Sequence, residues 1–354
     1  MANAAAPKQV LDTEKFVQDI LSSIERDRER EIVARRFGLF DRRETLEQIG
    51  ELLGITRERV RQLEKSVIAR FKALAADGEL PHIKEVETTL IQQLHRMGEA
   101  ARVSNLAGQV TAENSKTDQS RVVFLAMLCP HLVVVEEDDN YYQAVGIASV
   151  RDTDAMKAEI SKLQAAIKKA GEPLTISDAA KAAGTSDVQQ AGALASISKG
   201  LATLNGRWGL VKWPMVNPKN IRDKIYVILK EHGKHMHFNE IAEAIKKSDF
   251  KRKDVTTQAI HNELIKDKRF VLIGRGIYAL KEWGYQKGTV ADIITEVLRE
   301  AGEPLHRDEI VKRVLKSRFV KETTILLNLQ GKTQFKRVAK ATYELDVELE
   351  NGAE

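Results

Sequence analysis

Between residues 45 and 74 the apolar side chains keep a helical period that breaks once, at Gly54, and that break dictates two helices joined by a tight turn. Leu46, Ile49, Leu52 and Leu53 repeat on one face before the glycine, and Thr56 is a good N-cap for the second helix. At about 100° per residue, Val60, Leu63, Val67, Phe71 and Leu74 form a stripe, while Arg57, Glu58, Arg61, Gln62 and Lys65 fall on the opposite side. One face packs and the other is free. The segment TLEQIGELLGITRERVRQLEKSVIARFKAL reads as a helix-turn-helix.

The free face carries the side chains that suit base edges: Arg forks onto guanine O6 and N7, Gln pairs with adenine, and Glu accepts from cytosine N4. They gather near the N-terminus of the second helix, the end that such a motif inserts into the major groove. A solvated face of mutual salt bridges is the competing explanation. The coincidence of turn, cap and stripe favours DNA.

Residues 56–64 read TRERVRQLE. This resembles region 4 of primary-type bacterial sigma factors, whose pattern T-R-E-R-hydrophobic-R-Q-hydrophobic-E it matches at every position. Upstream, REREIVARRFGL at 28–39 resembles the first half of the same region, so the likeness runs over residues 16–74. It implies that Arg57, Glu58, Arg61 and Gln62 contact the upstream (minus-35) promoter element, with Arg59 and Lys65 on phosphates. It also implies RNA polymerase core as a partner, through the flap of the beta subunit. The helical domain with which a full sigma factor melts promoters has no counterpart in the short leader before Phe16, so unaided promoter opening is not expected.

Beyond residue 80 the chain repeats with a loose period of about 65 residues. A turn and short helix recur as MGEAARVSNLA from Met97, AGEPLTISDAA from Ala170, HGKHMHFNEIA from His232 and AGEPLHRDEIV from Ala301. β-rich ends recur as HLVVVEEDDNYYQAV from His131, LATLNGRWGLVKW from Leu201, FVLIGRGIYALKEW from Phe270 and FKRVAKATYEL from Phe335. Three helices and a hairpin are the winged-helix plan. Residues 217–285 resemble the HARE-type winged helix of the polymerase delta subunit, through FNEIAEAI, TTQAIHNEL and GRGIYALKEWG; the fourth repeat resembles it more weakly.

The expected fold is therefore mainly α: a leader at 1–15, a region 4-like helix-turn-helix domain at 16–78, then about four tandem winged-helix modules with small β wings. Their expected spans are 82–149, 152–214, 217–285 and 287–347, before an acidic tail at 348–354. Charge ranks the modules as DNA binders. EVETTL and EEDDN add acid to the first, whereas KKSDFKRKDVTTQAIHNELIKDKRF in the third concentrates Lys246, Lys247, Lys251, Arg252, Lys253, Lys266, Lys268 and Arg269 around its presumed second helix. Lys251, Arg252 and Lys253 are the expected phosphate contacts, with solubilising lysines the alternative. Gln258, His261 and Asn262 are placed outward on its third helix, His261 being equally suited to capping or packing. Trp208, Trp213, Tyr278 and Trp283 fall in wing positions, where packing is expected.

A length of 354 residues calls for several modules, 43% hydrophobic residues suffice for their cores, and a net charge of +5 permits nucleic-acid binding without demonstrating it. The one cysteine, Cys129, excludes an intrachain disulfide and a cysteine-based zinc cluster and is expected as packing in a reducing cytosol. The start MANAAAPKQV has no signal-peptide core, and the strongest apolar run, 122–129, is too short for a bilayer. His232, His235 and His237 lie close together, but no carboxylate or cysteine completes a metal set at motif spacing. The GKT at Gly331 has Leu326 where a phosphate loop requires its first glycine. No metal, cofactor, small-molecule substrate, membrane association or catalysis is expected. The expectation is a cytoplasmic, nucleoid-associated transcription factor reading double-stranded promoter DNA with RNA polymerase; the alternative is a polymerase accessory subunit binding mainly protein.

Overall fold

The computed structural model describes residues 10–250 and 254–346. They fall into two compact units divided between Lys212 and Trp213. The fold is mainly α.

The first unit opens with α1 (Thr13–Ser22), α2 (Asp27–Phe37), α3 (Leu46–Leu53) and α4 (Arg57–Asp77). α3 starts at a capping box between Thr45 and Gln48, and α4 starts at Thr56, whose hydroxyl accepts the Arg59 N–H at 3.2 Å. Between them the chain turns so tightly that a Cβ on Gly50 would lie 2.7 Å from the Ile55 carbonyl oxygen, so only glycine fits without movement. Ile32, Ile49 and Val60 form a small buried core, with Leu46, Leu53, Ile55 and Leu63 packed against it. Leu52, expected in the apolar set, is 55% exposed. The packed face of α3 is centred on Leu53, between Ile49 and Gly50, and Leu52 lies about 100° away around the helix.

Four repeats follow among the described residues, two in each unit. The first holds α5 (Ile83–Met97), β1 (Ala100–Arg102), α6 (Val103–Val110), α7 (Lys116–Leu128), β2 (Leu132–Val135) and β3 (Ala144–Ile147). The second holds α8 (Thr153–Ala170), β4 (Leu174–Thr175), α9 (Ile176–Ala183), α10 (Val188–Ile197), β5 (Leu201–Leu204) and β6 (Arg207–Leu210). In the second unit, the third repeat holds α11 (Ile221–His232), β7 (Met236–His237), α12 (Phe238–Lys247), α13 (Thr257–Lys266), β8 (Phe270–Gly274) and β9 (Ile277–Leu280). The fourth holds α14 (Val290–Ala301), β10 (Leu305–His306), α15 (Arg307–Ser317), α16 (Glu322–Gly331), β11 (Phe335–Ala339) and β12 (Thr342–Leu345).

The recurring turn is a helix stop. Gly98, Gly171, Gly233 and Gly302 each end the first helix of a repeat in the left-handed conformation that favours glycine. The short strand after each glycine goes beyond the three helices and hairpin expected from sequence. It pairs antiparallel with the second strand of the hairpin, giving the same three-stranded order in all four sheets: β1-β3-β2, β4-β6-β5, β7-β9-β8 and β10-β12-β11. Two or three residues are too few to display the alternation by which strands are recognised.

Candidate nucleic-acid interface

The third helix of each repeat is the one that a winged helix presents to DNA, and in the first unit both are packed over much of their length, with only their first residues exposed. From Arg121 onward α7 is covered on all sides, Arg121 to Ala126 and Leu128 being buried, while Lys116 at its start is exposed. Phe124 lies between Phe37 of α2, with ring centroids 5.2 Å apart, and Phe71 of α4, 6.5 Å apart. The buried Arg121 donates from Nε to the Leu39 carbonyl at 2.7 Å and from Nη2 to Glu14 of α1 at 2.8 Å. Leu11, Val17, Ile20, Val67, Phe71, Leu90 and Phe124 consequently belong to one continuous core that spans the helix-turn-helix segment and the first repeat.

α10 is committed as well, against the start of the first repeat. The Gln189 carbonyl would be 2.6 Å from a Cβ on Gly98, Arg102 Nε donates to the Ser196 carbonyl, and Gln190 Nε2 donates to the Glu99 carboxylate at 2.8 Å. The acidic turn of the first wing, Glu136 to Asp139, is exposed. Lys199 offsets part of its charge through Glu137 at 2.7 Å.

α4 does present a free face. Val60, Val67 and Phe71 are buried and Leu63 and Leu74 half-buried, so the stripe packs as its period requires. Arg57, Glu58, Arg59, Arg61, Gln62 and Lys65 are all exposed in the first turns of the helix. Beneath them, Arg36 of α2 donates to Glu64 of α4 at 3.2 Å, and Arg28 Nη2 donates to the Leu53 carbonyl at 3.3 Å. These struts fix the angle between the helices. The sequence pattern alone assigns no role to Arg36, Arg28 or Gly50; a glycine inside a helical apolar pattern is the one signal it offers.

The exposed side chains pair with one another. Arg61 forks onto Glu58 at 2.7 and 2.9 Å, Arg59 donates to Gln62 at 3.3 Å, and Gln62 donates to Glu58 at 3.4 Å. The hydrogen bonds from Arg61 hold the Glu58 carboxyl below the usual carboxylate range, and the carboxylate raises the guanidinium in turn. The salt-bridged arrangement is thus what the free protein adopts. An exposed pair of this kind is screened by water and holds its partners weakly, so it does not bar recognition of a base.

In the third repeat, Gln258 and Asn262 are exposed on α13 and bond to each other at 3.2 Å. His261 is not outward: it is half-buried, its ring packed between Phe238 of α12, at 5.0 Å, and Tyr278 of β9, at 6.2 Å. Lys246, Lys247, Lys266 and Lys268 are exposed. Arg269 of the same basic run is instead paired with Asp267 at 2.7 Å and Asp223 at 3.2 Å, and acts as a cross-link. Lys251, Arg252 and Lys253 lie outside the described residues. Two of the three clustered histidines have structural roles, His235 packing on Phe319 at 4.3 Å and His237 capping α12 by accepting the Asn239 N–H, while His232 is exposed at the end of α11. Among the described residues no group of three or more His, Cys, Asp or Glu side chains is arranged to hold a metal ion, and no helix is long and apolar enough to cross a membrane.

Comparison with known proteins meets this geometry at two places. Residues 26–73 match the family described as sigma-70, region 4, and residues 221–283 match the HARE-HTH family, the HTH domain whose description names ASXL and restriction endonuclease. The RNA polymerase sigma factor sigB of Arabidopsis thaliana is 48% identical over 46 residues, which is 13% of this chain and 8% of that protein. The likeness to that relative is therefore confined to a small fraction of its length. Within one chain, a sigma-70 region 4 segment is joined to a HARE-HTH module.

Proposed function

We propose that the protein is a noncatalytic, DNA-binding transcription factor that reads promoter DNA with the first turns of α4 and acts with RNA polymerase at initiation. The observation that carries this reading is the exposed set of Arg57, Glu58, Arg61 and Gln62 on a capped helix held by the Arg36–Glu64 strut, inside the segment that matches region 4. Those four meet base edges, and Arg59 and Lys65 meet phosphates. The modules run over 16–78, 82–149, 152–214, 217–285 and 287–347, the first two sharing a core. Lys251, Arg252 and Lys253 add backbone contacts from the third module.

Polymerase core binds through its beta flap in this reading. The exposed Phe40 beside Leu21 and Ala34, in a hollow rimmed by Arg30 and Glu31, supports such a protein contact. The site of action is the cytoplasm, at the nucleoid. A second reading, an accessory subunit that binds mainly protein, draws support from the packing of most of α7 and of one face of α10, which leaves two of the four third helices little surface for DNA.

Selection from a randomised duplex pool, with and without polymerase core, tests the two. Arg61→Ala should cost about 1–3 kcal/mol on the preferred site and relax discrimination there, whereas Lys65→Ala should weaken all sequences alike. An unchanged preference in Arg61→Ala would remove the base-reading role, and selection of a sequence only by the polymerase-bound protein would favour the accessory subunit.

A further inference from the structure

The four wings differ in charge far more than in shape. The first, from Leu132 to Ile147, has four acidic side chains and no basic one; the second and third carry one base each within their strands and turn, Arg207 and Arg275. The fourth reverses the sign. Lys332, Lys336, Arg337 and Lys340 sit on or beside β11 and its turn, all four are exposed, and no acidic residue occurs between Thr323 and Tyr343.

These cations are not held in reserve for the fold. Lys332 lies near enough to Asp292 to help hold its carboxyl below the usual carboxylate range, and the ion pairs of His306, Arg307 and Arg313 are on the α15 side; among the described residues Lys336, Arg337 and Lys340 enter no ion pair within 4.0 Å. Arg337 donates only to the nearby Ala339 carbonyl, at 3.2 Å, and Glu344, which faces Lys336 across the hairpin, forms no ion pair with it within 4.0 Å. β11 is an edge strand, with β12 on one side alone, and its register shifts between Arg337 and Ala339, where Val338 is left exposed. Successive strand residues alternate in direction, so Lys336 and Arg337 charge both faces of a thin ribbon while Lys340 charges its tip. Lys336 to Lys340 covers roughly 13 Å at the usual strand rise. That is the axial rise of about four nucleotides on one strand of a duplex.

We propose that the β11–β12 hairpin is a contact for the phosphate backbone of duplex DNA, independent of sequence and of whether α4 reads bases. A narrow two-stranded ribbon with cations on both faces and no carboxylate at its tip is complementary to a groove walled by phosphates on either side. The third helix of the same repeat is poorly suited to base reading at its centre, where its outward residue is Leu327, 67% exposed, in the place of Asn262 on α13. Affinity without sequence preference is what such a surface supplies.

The test is a salt titration of binding to a mixed-sequence duplex, with the full chain and with the triple variant Lys336→Gln, Arg337→Gln, Lys340→Gln. Both are also made in an Arg57→Ala, Arg61→Ala background, which removes the proposed reading face of α4. Removing one phosphate contact lowers the slope of log K against log salt by about 0.9, so the triple variant should reduce it by roughly 2 to 3 in either background. The exchange Lys336→Arg, Arg337→Lys should leave the slope unchanged, since charge is kept. Circular dichroism and the midpoint of thermal unfolding should match the parent, because all three side chains are exposed. An unchanged slope in both backgrounds would overturn the proposal. So would a variant that keeps its duplex affinity but loses binding to polymerase core. Loss of slope from the wing alongside unimpaired binding in the α4 background would instead leave the wing standing and count against α4.

Discussion

Phe124→Ala is the perturbation that most directly tests whether the helix-turn-helix segment and the first repeat are one cooperative body. Phe124 is fully buried on α7, and the two aromatic rings it meets lie on α2 and α4, on the other side of the chain's first expected domain border. Truncating a buried Phe to Ala costs about 3–5 kcal/mol, from lost transfer energy and from the cavity left behind. In a unit of this size each kcal/mol moves the unfolding midpoint by about 2–4 °C, so the transition of the first unit should fall by roughly 6–20 °C. The whole of that transition should move, since the residues freed belong to both sides of one core. The Phe71–Phe124 edge-to-face pair adds a second expectation: Phe71→Leu and Phe124→Leu, alone and together, should show a coupling of about 0.5–1.5 kcal/mol. Calorimetry on the full chain, with DNA affinity measured alongside, reads both. A Phe124→Ala protein whose midpoint falls by only a degree or two would refute the reasoning. So would a split of the first unit into two transitions of which one keeps its parental midpoint.

Two more outcomes rest on single residues. Gly50→Ala forces its new Cβ away from the Ile55 carbonyl 2.7 Å distant, so it should cost about 1–3 kcal/mol and weaken DNA binding by tilting α4; a variant with parental stability and affinity would show the turn to be more compliant than its geometry indicates. Burial pushes the Cys129 thiol well above its ordinary range, so alkylation near pH 8 should be negligible in the native state and should appear with unfolding of the first unit, whereas rapid labelling of the native protein would contradict the packing around α7.

How much of this was legible in the sequence depends on how many residues share each signal. The α4 stripe extends over four turns, and Val60, Val67 and Phe71 pack as its period demands. The four recurring glycines marked helix ends correctly because the left-handed stop is a property of one residue type. β1, β4, β7 and β10 escaped because strands of two or three residues have no period. Leu52 was misplaced because a two-turn helix defines its packed face only to within one residue. The burial of α7 was foreshadowed by the run from Val122 to Cys129, too short for a membrane and too apolar for a surface. The rings that cover it, Phe37 and Phe71, are distant in sequence and carry no local mark. His261 and Arg269 show the remaining limit: both are polar, and only the third dimension reveals that one packs between two aromatic rings and the other ties two acids together.

The third helices also bear on how such an array can change over generations. Repeat proteins ordinarily tolerate duplication, loss and shuffling of units, because each unit meets its neighbours through equivalent surfaces. In this chain α7 and α10 are spent on internal packing, whereas α13 and α16 keep outward faces bearing Gln258, Asn262 and Leu327. A copy of the third repeat moved into first place would bring an amide-bearing helix to the apolar seat that Phe124 fills. A copy of the first repeat moved to the end would lose the Phe37 and Phe71 rings that cover Phe124. The packing of α7 thus ties the first repeat to its place behind the helix-turn-helix segment, and lineages that exchange that repeat for another should be rare.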